Sequence, residues 1–298
     1  MKRTLFSAYY LQIMILVGIN IIMAASLNLI TGFTGQLSIG HAAFMSLGAY
    51  AAALATLKLG LPFFGSLLLG AFVAAVFGVL IGIPTLKLRG DYLAIATLGF
   101  GEIVRIVFLN LKITGGAVGL RGIPKNTTLL WVIIAVILTL FILNRILKSR
   151  VGRALIAIRE DETAAESMGI NTTYFKILAF GVGAFFAGLG GGLFSHYFQY
   201  IHPGSFGFLR SIEHLCMVVL GGMGSMWGSV IGAAALTAIP EFLRASADYR
   251  QLFYGAILVL MMRLRPEGII GEKISRRKPP RGKDKKLGKI NIFKAFSR

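Results

Sequence analysis

Five stretches of this chain are apolar over close to the length that spans a bilayer: residues 8–30, 61–83, 92–109, 129–147 and 177–198. A helix rises about 1.5 Å per residue, so about 20 apolar residues cross the hydrocarbon core. Inside lipid every backbone N–H and C=O must find a partner within the protein, and a helix provides that within its own segment. Composition agrees: 56% of the residues are hydrophobic and 14% are charged, where a soluble domain carries roughly 25% charged residues. The chain is therefore expected to be all-α, a polytopic membrane helical bundle of 8–10 spans, some of them broken. Residues 1–270 would form the transmembrane domain and 271–298 a basic tail.

Charge sets the expected sidedness. The tail holds eleven Lys or Arg against two acids, which places it in the cytoplasm against anionic lipid and makes nucleic acid the poorer partner. By the same rule Lys2 and Arg3, Lys87 and Arg89, and the run from Arg145 to Arg159 are expected to be cytoplasmic. The first apolar run outlasts the h-region of a signal peptide and reads as a span that stays. Cys216 stands alone in an apolar run, so no intramolecular disulfide forms.

Three further segments are irregular. Residues 37–57 are interrupted by His41 and glycines. Residues 212–243 are too long for one span and carry Gly221, Gly222, Gly224 and Gly228 near their middle. Residues 252–264 are short. With Lys2 and Arg3 inside, residues 8–30 run outward and 61–83 run inward, so 37–57 cannot be one ordinary crossing; the alternative is an external N-terminus, which Lys2 and Arg3 disfavour. The segment 37–57 is expected to be broken near Gly32–Gly40, and 212–243 to be a hairpin with a cytoplasmic glycine turn. The two glycine-rich turns would then face opposite sides, as in an inverted repeat, and paired broken segments point to a central pathway. Gly32, Gly35, Ser38, Gly40 and His41, with Gly221, Gly222, Gly224 and Ser225, are its candidate lining.

Between two spans the chain reads REDETAAESMGIN, residues 159–171. Acids gather at the positive end of a short helix dipole. Ala164, Ala165 and Met168 would give one small apolar face, Gly169 fits a left-handed helix stop, and Asn171 can cap the next span. Such a helix either docks a partner or only links spans. The loop 148–173 resembles the EAA loop of ABC importer permeases, through Glu162, Ala164, Ala165 and Gly169. The later Leu-Pro of the broad pattern is absent. LRGDYLAIATLGFGEIVRIVF, TGGAVGLRGIP, VVLGGMGSMWGSVIGA and RPEGIIG extend the resemblance to the M-type permease subunits of high-affinity branched-chain amino-acid importers, over residues 27–271.

That resemblance implies partners: an H-type sister permease, two ATP-binding subunits that carry ATP and Mg, and a periplasmic solute-binding protein. It implies no cofactor on this chain, no catalytic residue, and coupling to the ATPase through Arg159, Glu162, Ala164, Ala165, Met168 and Gly169. It places the chain in the inner membrane of a bacterium or archaeon. Related permeases carry amides, urea or other small polar solutes, and a stand-alone secondary carrier or channel is the rival of another class. Glu102 and Arg105, at i and i+3 inside a span, form either a polar element of the path or a structural ion pair. No histidine pair has zinc spacing, and no GxxxxGK[ST] phosphate loop is present.

Overall fold

The first span stops where Thr31-Gly32 and Thr34-Gly35 replace the apolar run. In the computed structural model, which describes residues 2–85, 88, 90–242 and 255, helix α1 (Lys2–Asn28) passes into a π-helical turn over Leu29–Phe33. Residues 34–40 then leave helical geometry, and α2 (His41–Leu59) begins inside the bundle. The His41 ring lies 2.9 Å from Ser26 Oγ, so α2 starts beside the body of α1. The expected break is present.

The chain continues as α3 (Phe63–Thr85), α4 (Asp91–Asn110), α5 (Leu129–Lys148), the surface helices α6 (Arg150–Glu160) and α7 (Glu162–Ser167), and α8 (Thr172–Phe198). The hairpin follows as α9 (Phe208–Gly221), a glycine turn, and α10 (Met226–Phe242). Strands β1 (Leu120–Arg121) and β2 (Tyr200–Ile201) pair antiparallel and mark the bundle end opposite α7. Six described helices are long and apolar enough to cross a membrane. The segment 252–264 and the tail lie outside the described residues.

Two sequence expectations need correcting. Asn20 bonds Thr237 late in α10 and is reached by Arg210 at the start of α9, while Asn28 bonds Ser225 in the hairpin turn. Helix α1 therefore runs toward the α7 end, and its start lies at the β end, away from the 145–159 run. The Lys2/Arg3 argument failed because the β end also carries cations, Lys112, Arg121 and Lys125, and the first helix does not always dominate orientation. Reversing α1 also moves its break. The Gly32 and Gly224 turns meet at one end instead of facing opposite sides, so the expected opposed geometry is absent.

The core is built from glycine. Helices α2, α3 and α8 touch backbone to backbone. A Cβ at Gly70 would stand 2.6 Å from Gly48 O, and one at Gly188 would meet Gly70 O at 2.9 Å and Ala71 Cα at 3.0 Å. Small residues permit this approach, and in lipid the packing itself drives association. Large apolar side chains such as Phe72, Ile137 and Phe141 point outward from α3 and α5. We expect Gly188→Leu to destabilise the chain by about 3 kcal/mol and to cut membrane abundance. The thermal midpoint of the detergent-extracted protein checks this; an unchanged midpoint would mean that the three helices do not rely on the contact.

Candidate functional site

The site forms where three interruptions of helix meet. The first is the π-turn at Leu29–Phe33, the second is the 222–225 turn, and the third is the junction between α6 and α7. Asn28, one turn before the break, joins the first two. Its amide donates to Ser225 O at 2.9 Å and Ser229 Oγ at 2.6 Å, and its Oδ1 accepts the Gly224 N–H at 2.9 Å. These bonds satisfy groups that the broken helices would otherwise leave bare. Gly224 has φ +83°, and a Cβ on Gly32 would overlap both the Asn28 side chain and the Gly224 amide. No larger residue fits between the turns.

Arg159 enters from α6. Its Nη1 donates to Gly32 O at 2.8 Å, and its stem lies against Gly35. The guanidinium also lies against Gly224 and 3.5 Å from Glu160. An always-charged donor on a carbonyl freed by a π-turn is a strong link. It ties the surface helices to both broken segments.

Helix α7 is short but fully capped. Asp161 accepts from Ala164 N at 3.0 Å and Thr163 Oγ1 at 2.6 Å. The Thr163 hydroxyl first, and then the Ala164 amide, hold the Asp161 carboxyl below its usual range. At the other end Gly169 sits at φ +83°, its N–H donates to Glu166 O, and Ile170 N–H donates to Ala165 O. This is a Schellman stop. Glu162 pairs with buried Lys176 of α8, and Thr172 donates to Glu166 at 2.7 Å. The expected single apolar face is divided: Ala165 packs inward, while Ala164 and Met168 face out, Met168 at 83% exposure. A six-residue helix held at three corners has only one side to bury.

The remaining candidates separate. Gly40 is a close-packing glycine against the Thr97 backbone, and Gly221 is one against Gly228. Gly222 caps α9 at φ +113°. Ser38 and His41 are buried beside the break. Ser38 Oγ, His41 Nδ1, both nitrogens of His214 on α9, Thr31 Oγ1 and Gln36 Oε1 have no hydrogen-bond partner in the structure. Buried polar atoms are normally satisfied, so this group marks a polar interior along the break. Glu102 and Arg105 form an ion pair at 2.7 Å, distant from the glycine turns, in a cavity of about 530 Å³ that also holds Arg210 and Glu213. No group of three or more potential metal ligands occurs among the described residues.

Asn28, Lys176 and the Arg210–Glu213 pair carry no motif in the sequence, and His214 reads there only as one of several histidines without zinc spacing. A signal existed for the first: Asn20 and Asn28 lie eight residues apart, on one face of an otherwise apolar span. Amides at that depth must face protein.

A family model described as the permease component of a branched-chain amino acid transport system matches residues 9–262. The high-affinity branched-chain amino acid transport system permease protein LivM of Salmonella typhimurium is 40% identical over 287 residues, 85% of this chain and 68% of its own. A probable LivM of Methanocaldococcus jannaschii is 25% identical over 70% of this chain and 69% of its own. LivH of Escherichia coli K12, a permease protein of the same kind of system, is 36% identical over 41% of this chain and 40% of its own. No solved structure matches.

Lys176→Met is expected to leave α8 intact and loosen α7, because the buried Lys176–Glu162 pair is lost. Breaking one partner of a buried pair costs about 3 kcal/mol. Amide hydrogen exchange over residues 161–170 should accelerate while α8 stays protected; unchanged exchange would show that the cap and stop hold α7 without the pair.

Proposed function

The chain belongs to the family of branched-chain amino acid transport permease components, and on that premise we propose that it forms half of the membrane path of an ATP-driven importer for leucine, isoleucine and valine. It is a multi-pass membrane protein. The other half would be an H-type sister permease, in keeping with the LivH match. Two ATP-binding subunits would dock on the α6–α7 face and supply ATP and Mg chemistry. A periplasmic binding protein would deliver solute at the β end. This sidedness puts the α7 end in the cytoplasm, and the basic charge of the tail sequence favours the same side.

One observation carries the coupling: the Arg159 guanidinium, rooted in a surface helix, donates to Gly32 O between two glycine turns. A partner that shifts α7 moves Arg159 and Lys176 together, and through them the ends of α1, α8 and the α9–α10 hairpin. Exposed Ala164 and Met168 offer small and flexible contacts to a groove. The unsatisfied polar atoms along residues 31–41 and at His214 support a hydrated interior beside the break. On this view Gly32, Gly35, Gly224 and Ser225 belong to the gate, and Ser38 and His41 to the path above it.

Three measurements test this. The chain should co-purify with an ATPase, and solute-loaded binding protein should stimulate that ATPase. Transport by the chain alone, driven by an ion gradient, would instead make it a secondary carrier. Arg159→Gln should lower leucine uptake by about tenfold or more while ATP hydrolysis persists, as expected for a lost coupling contact. Gly169→Val has open space around it, so its cost is backbone strain alone, about 1–3 kcal/mol. It should uncouple in the same way at wild-type abundance, and coupled uptake by both variants would remove α6–α7 from the mechanism.

A further inference from the structure

Two charge pairs face the same cavity at the β end, and their arrangement has a chemical counterpart. On α4, Arg105 donates through Nε and Nη2 to Glu102 Oε2, each at 2.7 Å. On α9, Arg210 Nη1 donates to Glu213 at 2.8 Å, and its Nη2 reaches Asn20 Oδ1 at 3.3 Å. Both are i, i+3 pairs, and all four side chains are between 22% and 34% exposed. None is sealed by its partner, and all four line the cavity of about 530 Å³. The loop before α9 rests on the Arg105 stem, where a Cβ on Gly207 would lie 3.6 Å from Arg105 Cδ. That contact brings the two pairs to one place.

The other side chains of the wall are mostly apolar, Leu16, Phe194, Phe198, Phe208 and Leu209, with Ser205 in the loop before α9. The volume falls within the about 300–1,000 Å³ typical of small-ligand sites. Two cations and two anions give a formal charge of zero. A ligand that is itself neutral overall, but carries one carboxylate and one ammonium, exchanges partners here without leaving an uncompensated charge. Its carboxylate takes guanidinium donors from Arg105 and Arg210, its ammonium donates to Glu102 and Glu213, and an apolar side chain meets the aromatic wall. An anion or a cation alone would leave one sign unpaired at a site where unpaired charge is costly. An uncharged amide would displace charge-assisted bonds with weaker ones.

We propose that this cavity is a zwitterion site, in which the Glu102–Arg105 and Arg210–Glu213 pairs open to hold the headgroup of an apolar α-amino acid on its way into the path. The inference rests on the permease assignment and adds a selection step within the membrane subunit.

The test uses the complete membrane complex in nanodiscs without binding protein, with radiolabelled L-leucine as the probe. L-leucinamide and 4-methylpentanoate, which lack one charge each, are the competitors. Saturable leucine binding is expected, and each competitor should be weaker by about tenfold or more, the worth of one charged hydrogen bond. Glu213→Gln, and Glu102→Gln with Arg105→Gln, should each weaken leucine binding by a similar factor. The competitor series needs no variant, so it decides even if a variant fails to assemble. Competition by either analogue at the strength of leucine overturns the proposal. So does a wild-type complex that imports leucine from its binding protein yet shows no saturable binding up to about 10 mM. A complex that binds leucine with this selectivity but imports none would keep the zwitterion site and defeat the permease assignment.

Discussion

A helix that ends inside a packed bundle leaves carbonyls and amides that need partners from the protein. This chain ends two, α1 at a π-turn and α9 at a left-handed glycine, and it solves both at one point. Asn28 answers the turn at Gly224–Ser225, and Arg159 answers the carbonyl of Gly32. Each break is thus satisfied by the other break or by the surface helix. Neither turn can be displaced alone without exposing bare backbone groups. On the proposed mechanism, that shared dependence is what would carry a motion of α6–α7 into the spans. It also explains why Gly32 and Gly224 tolerate no side chain.

Much of this architecture was legible in the sequence. The long apolar runs gave the spans, the glycine cluster at 221–228 gave a hairpin, and the acids and Gly169 gave a capped helix between spans. A break before His41 is present, but the crossing count that called for it assumed Lys2 and Arg3 inside; with α1 reversed, residues 41–59 are long and apolar enough to cross as one span. Sidedness did not follow, because Lys2 and Arg3 are only two charges, and the other end of the bundle holds cations of its own. Once α1 was reversed, the two glycine turns moved from opposite faces to contact. Contacts between Arg159 and Gly32 span 127 residues, and no local pattern encodes them. The division of the small α7 face was also invisible: periodicity says which residues share a side, but not that Lys176 and Thr172 would pin the helix from beneath.

The two charged regions of the bundle follow different rules. Around α7 the charges are structural: Asp161 caps the helix, Glu166 accepts from Thr172, and Lys176 is buried against Glu162. At the β end the pairs are internal to their own helices and stay partly open. An i, i+3 pair contributes only a few tenths of a kcal/mol to a helix, about 0.2–0.5, so helix stability alone is a weak reason to place four ionisable groups beside aromatic walls. A pair that is weakly held and partly open is suited to exchange partners. A pair that is buried and bridges two helices is suited to transmit force.

These two regions are connected through the start of α2. Ser211, one residue beyond Arg210, accepts the Ala42 N–H at 3.2 Å, and His41 beside it contacts Ser26 on α1. His214 follows one turn further along α9 with both ring nitrogens unsatisfied. The first turn of α2 therefore sits between the charged cavity and the Gly32 knot, and residues 34–40 lead from it to Arg159. On the proposed mechanism a displacement at α7 reaches the cavity through this extended segment, which has no helical ladder to resist it. Residues 34–40 are then the stretch through which the two ends of the bundle would be linked.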